Sequence, residues 1–216
     1  QAIINRRLEA RARSGGSYLA AQVNQEKVSR STDATFVAVT PLGEDWKTAL
    51  GDVRAVIADA VASAPTQQEI DREVAEMNVA FESSVEQRRL LPGSRLADDI
   101  VTALDIRETV ASPETVQLIF NRSRPLFTPQ AVLDHTRSLF KGAVTRSIYV
   151  TPRVGEADSA ALKLALTAPA KGNGAARVDS KPISFAELQA LGTPGKVVSA
   201  VPSSVLEIEQ VELSNG

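Results

Sequence analysis

At 216 residues, with 43% hydrophobic and 23% charged side chains and a net charge of −2, the chain can bury a core but lacks the basic surplus of a nucleic-acid binder. Aromatic residues make up 4%, too few for base-stacking platforms. One histidine, His135, and no cysteine exclude thiol chemistry, disulfides and any zinc site built from imidazoles and thiolates. No apolar run has the length of a membrane span. The chain begins without methionine in a charged helical pattern, with no signal peptide legible, as expected of an excised piece or a processed product.

Residues Ala2–Arg13 read as an amphipathic helix with Ile4, Leu8 and Ala12 on one face. Ser14-Gly15-Gly16-Ser17 ends it, because glycine takes the left-handed terminal conformation without steric cost. Extended stretches follow at Tyr18–Val28 and at 35–40, the second rich in β-branched residues and expected inside a sheet. Pro41-Leu42-Gly43 then turns the chain into its clearest helix. Trp46, Ala49, Leu50, Val53, Ile57, Ala60 and Val61 form its apolar stripe, and Lys47, Asp52, Arg54 and Asp59 its solvated side.

Ala64-Pro65 stops that helix. Thr66-Gln67-Gln68-Glu69 is a capping box, in which threonine and glutamate satisfy each other's free backbone amides. The helix it opens is expected to bury Ile70, Val74, Met77, Phe81 and Val85, and Pro92-Gly93 breaks it. A shorter helix carries Leu96, Ile100, Val101 and Leu104. Ser112-Pro113 and Thr128-Pro129 each start another, a capping side chain preceding a proline in the first turn. These carry Val116, Ile119 and Phe120, then Val132, Leu139 and Phe140 up to Gly142.

Residues 146–151 read as a strand and 160–166 as a short helix. Residues 168–182 have linker composition, and 183–191 suggest one or two helical turns. Residues 197–213, broken at Pro202, alternate through Leu206, Ile208, Val211 and Leu213. The fold class is α+β: an antiparallel-type mixed sheet with helices on one face. Its expected organisation is one region over 1–152, a helix and linker over 153–195, and a further segment over 196–216.

Little in the chain could carry chemistry. His135 beside Asp134 falls on a predicted helix, where neighbours point about 100° apart, so it reads as a polar surface or capping histidine. Asp98, Asp99 and Glu108 lack the spacing of a calcium loop, and a helix N-terminal charge bias accounts for the two aspartates. Gly192-Thr193-Pro194-Gly195-Lys196-Val197 is too short between its glycines for a phosphate loop and lacks the hydroxyl residue after lysine. Arg13-Ser14-Gly15 is not a nucleophile elbow. Arg6, Arg7, Arg11 and Arg13 are the notable cluster. Arg7 and Arg11, at i,i+4, could receive a peptide carboxylate or a partner's acidic groups; a solvated face or an interdomain salt bridge is the plainer reading.

Ile4-Asn5-Arg6-Arg7-Leu8, the turn to Tyr18, the Phe36-Val37-Ala38-Val39 strand, the Trp46 helix and Thr66-Gln67-Gln68-Glu69-Ile70 together form a pattern. It resembles the second, non-catalytic domain of the pitrilysin/insulinase family of zinc peptidases in its bacterial long-chain form. That family carries L-x-x-R-L and then T-x-x-E-L. Thr128-Pro129-Gln130-Ala131-Val132 and Ile148-Tyr149-Val150 resemble its last helix and closing strand. Pro194-Gly195-Lys196-Val197 and Val211-Glu212-Leu213-Ser214-Asn215-Gly216 resemble the run into its third domain.

The resemblance implies a clamshell of four α+β domains, the first holding zinc on H-x-x-E-H. No such motif occurs here, so no metal ligand or general base carries over, and the expected set of catalytic, metal and cofactor residues is none. Arg13 and Tyr18 are too close for the family's R-E-x-x-G-L-x-Y pattern, and Ser14 replaces its glutamate. The implied function is a non-catalytic fragment of a zinc-dependent endopeptidase, forming a chamber wall and supporting the catalytic domain, with zinc expected only in the intact parent. The alternatives are an inactive structural paralogue of the same fold and an unrelated helical interaction module. Expected partners are the parent's neighbouring domains and, in the intact enzyme, a peptide; self-association of the fragment is favoured by apolar surface left uncovered. The resemblance implies an exported, periplasmic compartment.

Overall fold

The chain, described over residues 1–29, 31–153, 158–172, 174, 194–202 and 208–215 in a computed structural model, opens with helix α1 (Ala2–Arg13). Ile4 and Leu8, one turn apart, are buried from it. Strands β1 (Tyr18–Val28) and β2 (Thr32–Pro41) form an antiparallel hairpin with Val23 opposite Val37. A register slip between Tyr18 and Ala20 decides which side chains face inward. Strict alternation would put Tyr18 and Val23 on opposite faces; the bulge shifts the pleat, and both are buried.

Helix α2 (Trp46–Ala62) begins at Asp45, whose carboxylate accepts from the Thr48 amide at 3.1 Å. It buries Ala49, Val53, Val56 and Ala60 against Ile4, Leu8, Tyr18 and Val23. Together α1, α2 and the hairpin make the core, while Leu19 and Phe36 of the hairpin are exposed. Burial of each such Val, Leu or Ile side chain is worth about 1.5–3 kcal/mol.

Helix α3 (Gln67–Gln87) starts on the predicted capping box, with both reciprocal bonds present. Only Ile70 of its expected apolar set is buried; Val74, Phe81 and Val85 are half-buried and Met77 is exposed. The reason is geometric: the helix leaves the core after its first turns and packs chiefly on α5 (Pro113–Ser123), where the Phe81 and Phe120 rings lie 4.8 Å apart. Helix α4 (Gly93–Asp105) buries nothing, and Leu96, Ile100, Val101 and Leu104 are all exposed. After α5 and a 3₁₀ turn (Arg124–Leu126), α6 (Pro129–Leu139) buries Leu133, Thr136 and Leu139. The Ser112 and Thr128 caps form as expected.

Residues 146–151 correct the sequence reading. They belong to no ladder among the described residues, and Ile148 and Val150 are open to solvent. Tyr149 instead stacks on Trp46 at 5.0 Å. Helix α7 (Ser159–Thr167) follows, packed on α2.

Contacts divide the chain into two units, Gln1–Val178 and Asp179–Gly216. In the second, β3 (Val197–Pro202) and β4 (Glu209–Leu213) form another antiparallel pair, with Pro202 ending the first strand. Residues 183–191 and Leu206 lie outside the described residues. The molecule is α+β, and both ladders are antiparallel.

Candidate functional site

The polar residues that the fold gathers most closely lie where α1 crosses α2 and α3. Arg7 is 3% exposed, one position from the buried Leu8. Its Nε and Nη2 donate to the two Glu69 carboxylate oxygens at 2.8 and 2.9 Å, and its Nη1 donates to Asp59 at 3.2 Å. This bidentate fork is the strong geometry for a guanidinium. Glu69 serves twice, since the same carboxylate also accepts from the Thr66 amide at 2.8 Å as half of the capping box. Burial pushes the Glu69 carboxyl up, but the Arg7 and Thr66 donors outweigh it and hold it below the usual carboxylate value.

The other arginines are engaged around this centre. Arg6 pairs with Glu73 and Glu76, and Arg11 donates to Asp52 at 3.2 Å, where the Ser17 hydroxyl also donates at 2.7 Å. Arg13 pairs with Glu9 in the open. A groove of about 180 Å³ runs between α1 and α3, lined by Ile3, Arg6, Ala10, Glu69 and Glu73 among others. Arg6, Arg7 and Arg11 are therefore engaged in ion pairs that tie α1 to α2 and α3, while Arg13 stays on the solvated face. Arg7 and Arg11 already donate to Glu69, Asp59 and Asp52 within the fold.

Sequence reading placed Asp52 and Asp59 on the solvated side of α2; both are part-buried partners of α1. Their seven-residue spacing puts both on one flank of α2, as the four-residue spacing puts Arg7 and Arg11 on one flank of α1, and those shared flanks were the available signal. Tyr18 donates its hydroxyl to the Leu8 carbonyl at 2.8 Å inside the core. Burial, with Asp52 nearby, pushes its phenol up to about 12, against the smaller opposing pull of Arg11. Arg13 and Tyr18 do not act together.

The remaining candidates stand apart. His135 is exposed on α6, and Asp134 accepts from Gln130 at 2.9 Å and faces Arg137 rather than the imidazole. Asp98 and Asp99 lie in the middle of α4, whose first turn has no acidic residue, so the helix-terminus account fails; Asp99 pairs with Arg95 at i,i+4. Glu108 accepts from Lys27 at 2.7 Å. Ser14 donates to the Arg11 carbonyl. Lys196 pairs its amide with the Ser214 hydroxyl, while Gly192 and Thr193 lie outside the described residues.

No family model and no curated protein matches the chain. Solved structures do. The periplasmic protease PqqL from Escherichia coli matches with a TM-score of 0.63 at 17% identity, over 100% of this chain and 24% of that one. The first half of PqqL, solved separately, matches at 0.59 and 17% identity over 64% of this chain and 30% of that one. A predicted insulinase family protease from Yersinia pestis matches at 0.53 and 10% identity, over 63% and 30%. This chain has the fold of insulinase-family proteases. It spans less than a third of each of these structures. Among the described residues no three His, Asp or Glu side chains lie together as a metal would require. The acids at the α1 junction are held by arginines instead. No helix among the described residues is long and apolar enough to cross a membrane.

Proposed function

We propose that this chain is a non-catalytic part of a larger zinc-dependent metalloendopeptidase of the pitrilysin/insulinase type, exported to the periplasm. Residues 1–152 are most of the second domain, 153–195 the connector, and 196–216 the first residues of the third. Its task is structural: one wall of the substrate chamber and a support for the catalytic domain. Zinc chemistry belongs to another part of the parent.

The observation that carries this reading is the likeness to PqqL over the whole chain, against a quarter of PqqL's length. The first half of PqqL covers only 64% of the chain, which supports a segment that runs past the midpoint of such a protease. The arginine pairing of the junction carboxylates supports a supporting rather than a reactive role. Exposed Leu96, Ile100, Leu104, Ile148 and Val150 support neighbouring domains that cover them, and self-association when those are missing.

The test is a peptidase assay with zinc titration on this chain and on the longer protein that contains it. The expected result is zinc-dependent peptide cleavage by the longer protein, with neither cleavage nor stoichiometric zinc uptake by this chain alone. Tight zinc binding by the chain, or an inactive parent, overturns the reading; an inactive parent would favour the structural paralogue.

A further inference from the structure

Residues 158–172 lie along α2 and are pinned to it at two points. Arg54, on α2, donates Nη1 to the Ala165 carbonyl at 2.7 Å and Nη2 to the Ala168 carbonyl at 2.6 Å. These are carbonyls at the C-terminal end of α7, where helix geometry leaves acceptors unpaired and a cation is favoured. Asp158 secures the other end of α7, accepting from the Ala160 and Ala161 amides. The second pin is Gly172. A Cβ built on it would stand 2.4 Å from the Asp59 Cα and 2.6 Å from the Asp59 backbone nitrogen, so only glycine allows this approach.

Asp59 is also a partner of Arg7, whose fork holds Glu69 and, through it, the first turn of α3. One residue thus faces the connector with its backbone and the buried ion pair with its carboxylate. We propose that residues 158–172 form a strap whose seat on α2, made by Arg54 and Gly172, is energetically coupled through Asp59 to the Arg7–Glu69 pair. Lifting the strap loosens the junction of α1, α2 and α3, and loosening that junction frees the strap. Coupling of this kind is reciprocal by thermodynamic necessity, which makes it testable from both ends.

The experiment is native-state hydrogen exchange on the full chain, following the Leu162 and Ala168 amides for the strap and the Glu69 and Ile70 amides for the junction. Gly172→Val and Arg54→Ala are each expected to speed strap exchange about tenfold and junction exchange about threefold. Glu69→Gln, altered only at the junction, is expected to speed strap exchange about threefold. The Val23 amide in the core reports global opening; if Gly172→Val accelerates it equally, Arg54→Ala and Glu69→Gln decide. Strap acceleration with unchanged junction amides, or junction acceleration with an unchanged strap, overturns the coupling. So does no acceleration at either.

Discussion

The Asn5 side chain closes on both backbone polar groups of Val23: its Nδ2 donates to the Val23 carbonyl at 3.0 Å, and its Oδ1 accepts from the Val23 amide at 2.7 Å. A residue's amide and carbonyl point to the same edge of a strand, so Asn5 occupies the position that a neighbouring strand would take beside β1. Asn5→Leu strands two part-buried backbone groups and is expected to cost about 1–3 kcal/mol, read as a lower urea midpoint. Asn5→Asp keeps the acceptor and loses the donor, so it should fall between. A midpoint for Asn5→Leu equal to wild type would show that the contact contributes nothing.

The Arg7 pairs are buried and the Arg13–Glu9 pair is not, and the two should differ sharply on truncation. Arg7→Ala removes the buried guanidinium that Asp59 and Glu69 share, at an expected cost of about 3–5 kcal/mol. Arg13→Ala removes an exposed i,i+4 pair and should cost under about 0.5 kcal/mol. Denaturant unfolding of both variants checks the order; similar losses would contradict the burial argument.

Acid should act through Glu69. Its carboxyl titrates lower in the folded chain than in the unfolded one, so its contribution is complete above the unfolded value of about 4.3. The contribution is lost as pH falls through the lower folded value, because the unfolded state then binds the proton more readily. A urea series from neutral pH to about 3 should show wild type losing stability more steeply below about 4.5 than Glu69→Gln. Parallel curves would assign the acid sensitivity elsewhere.

Alkali should act through Tyr18, whose phenol titrates near 12 when folded. Protonated Tyr18 is favoured by the fold, so its share of stability is full below the unfolded value of about 10 and fades as pH rises towards 12. Ultraviolet titration should show a late tyrosinate step that Tyr18→Phe removes. An unchanged titration curve in that variant would place the step on another group.

Exposed apolar positions on α4 predict the opposite behaviour to the core. Ile100→Glu and Leu104→Glu, at residues 42% and 62% exposed, should alter folding stability by no more than about 0.5 kcal/mol. Sedimentation should show less self-association in both. A large loss of stability would mean that α4 is covered in the isolated chain.

Local chemistry was legible wherever a few neighbouring residues settle the outcome. Thr66 and Glu69 sit three apart and cap one helix end, Ser112 and Thr128 precede prolines, and the limits of α1 and β1 follow from pattern and glycine. The depth of burial was not legible. Met77 and Leu104 look like core residues by spacing, yet spacing says only which face is apolar, not whether another element covers it.

The sequence by itself determined the helices α1 to α7 and the first hairpin, though not the fate of residues 146–151, and that a lone histidine and absent cysteines leave few metal donors, because propensity, capping and composition are local properties. Only the tertiary structure decided that Arg7 meets Asp59 and Glu69, that Asn5 seals Val23, and that Gly172 rests on Asp59. Those contacts join residues between 18 and 113 positions apart, and no periodicity within one segment specifies which charge on another helix it will face.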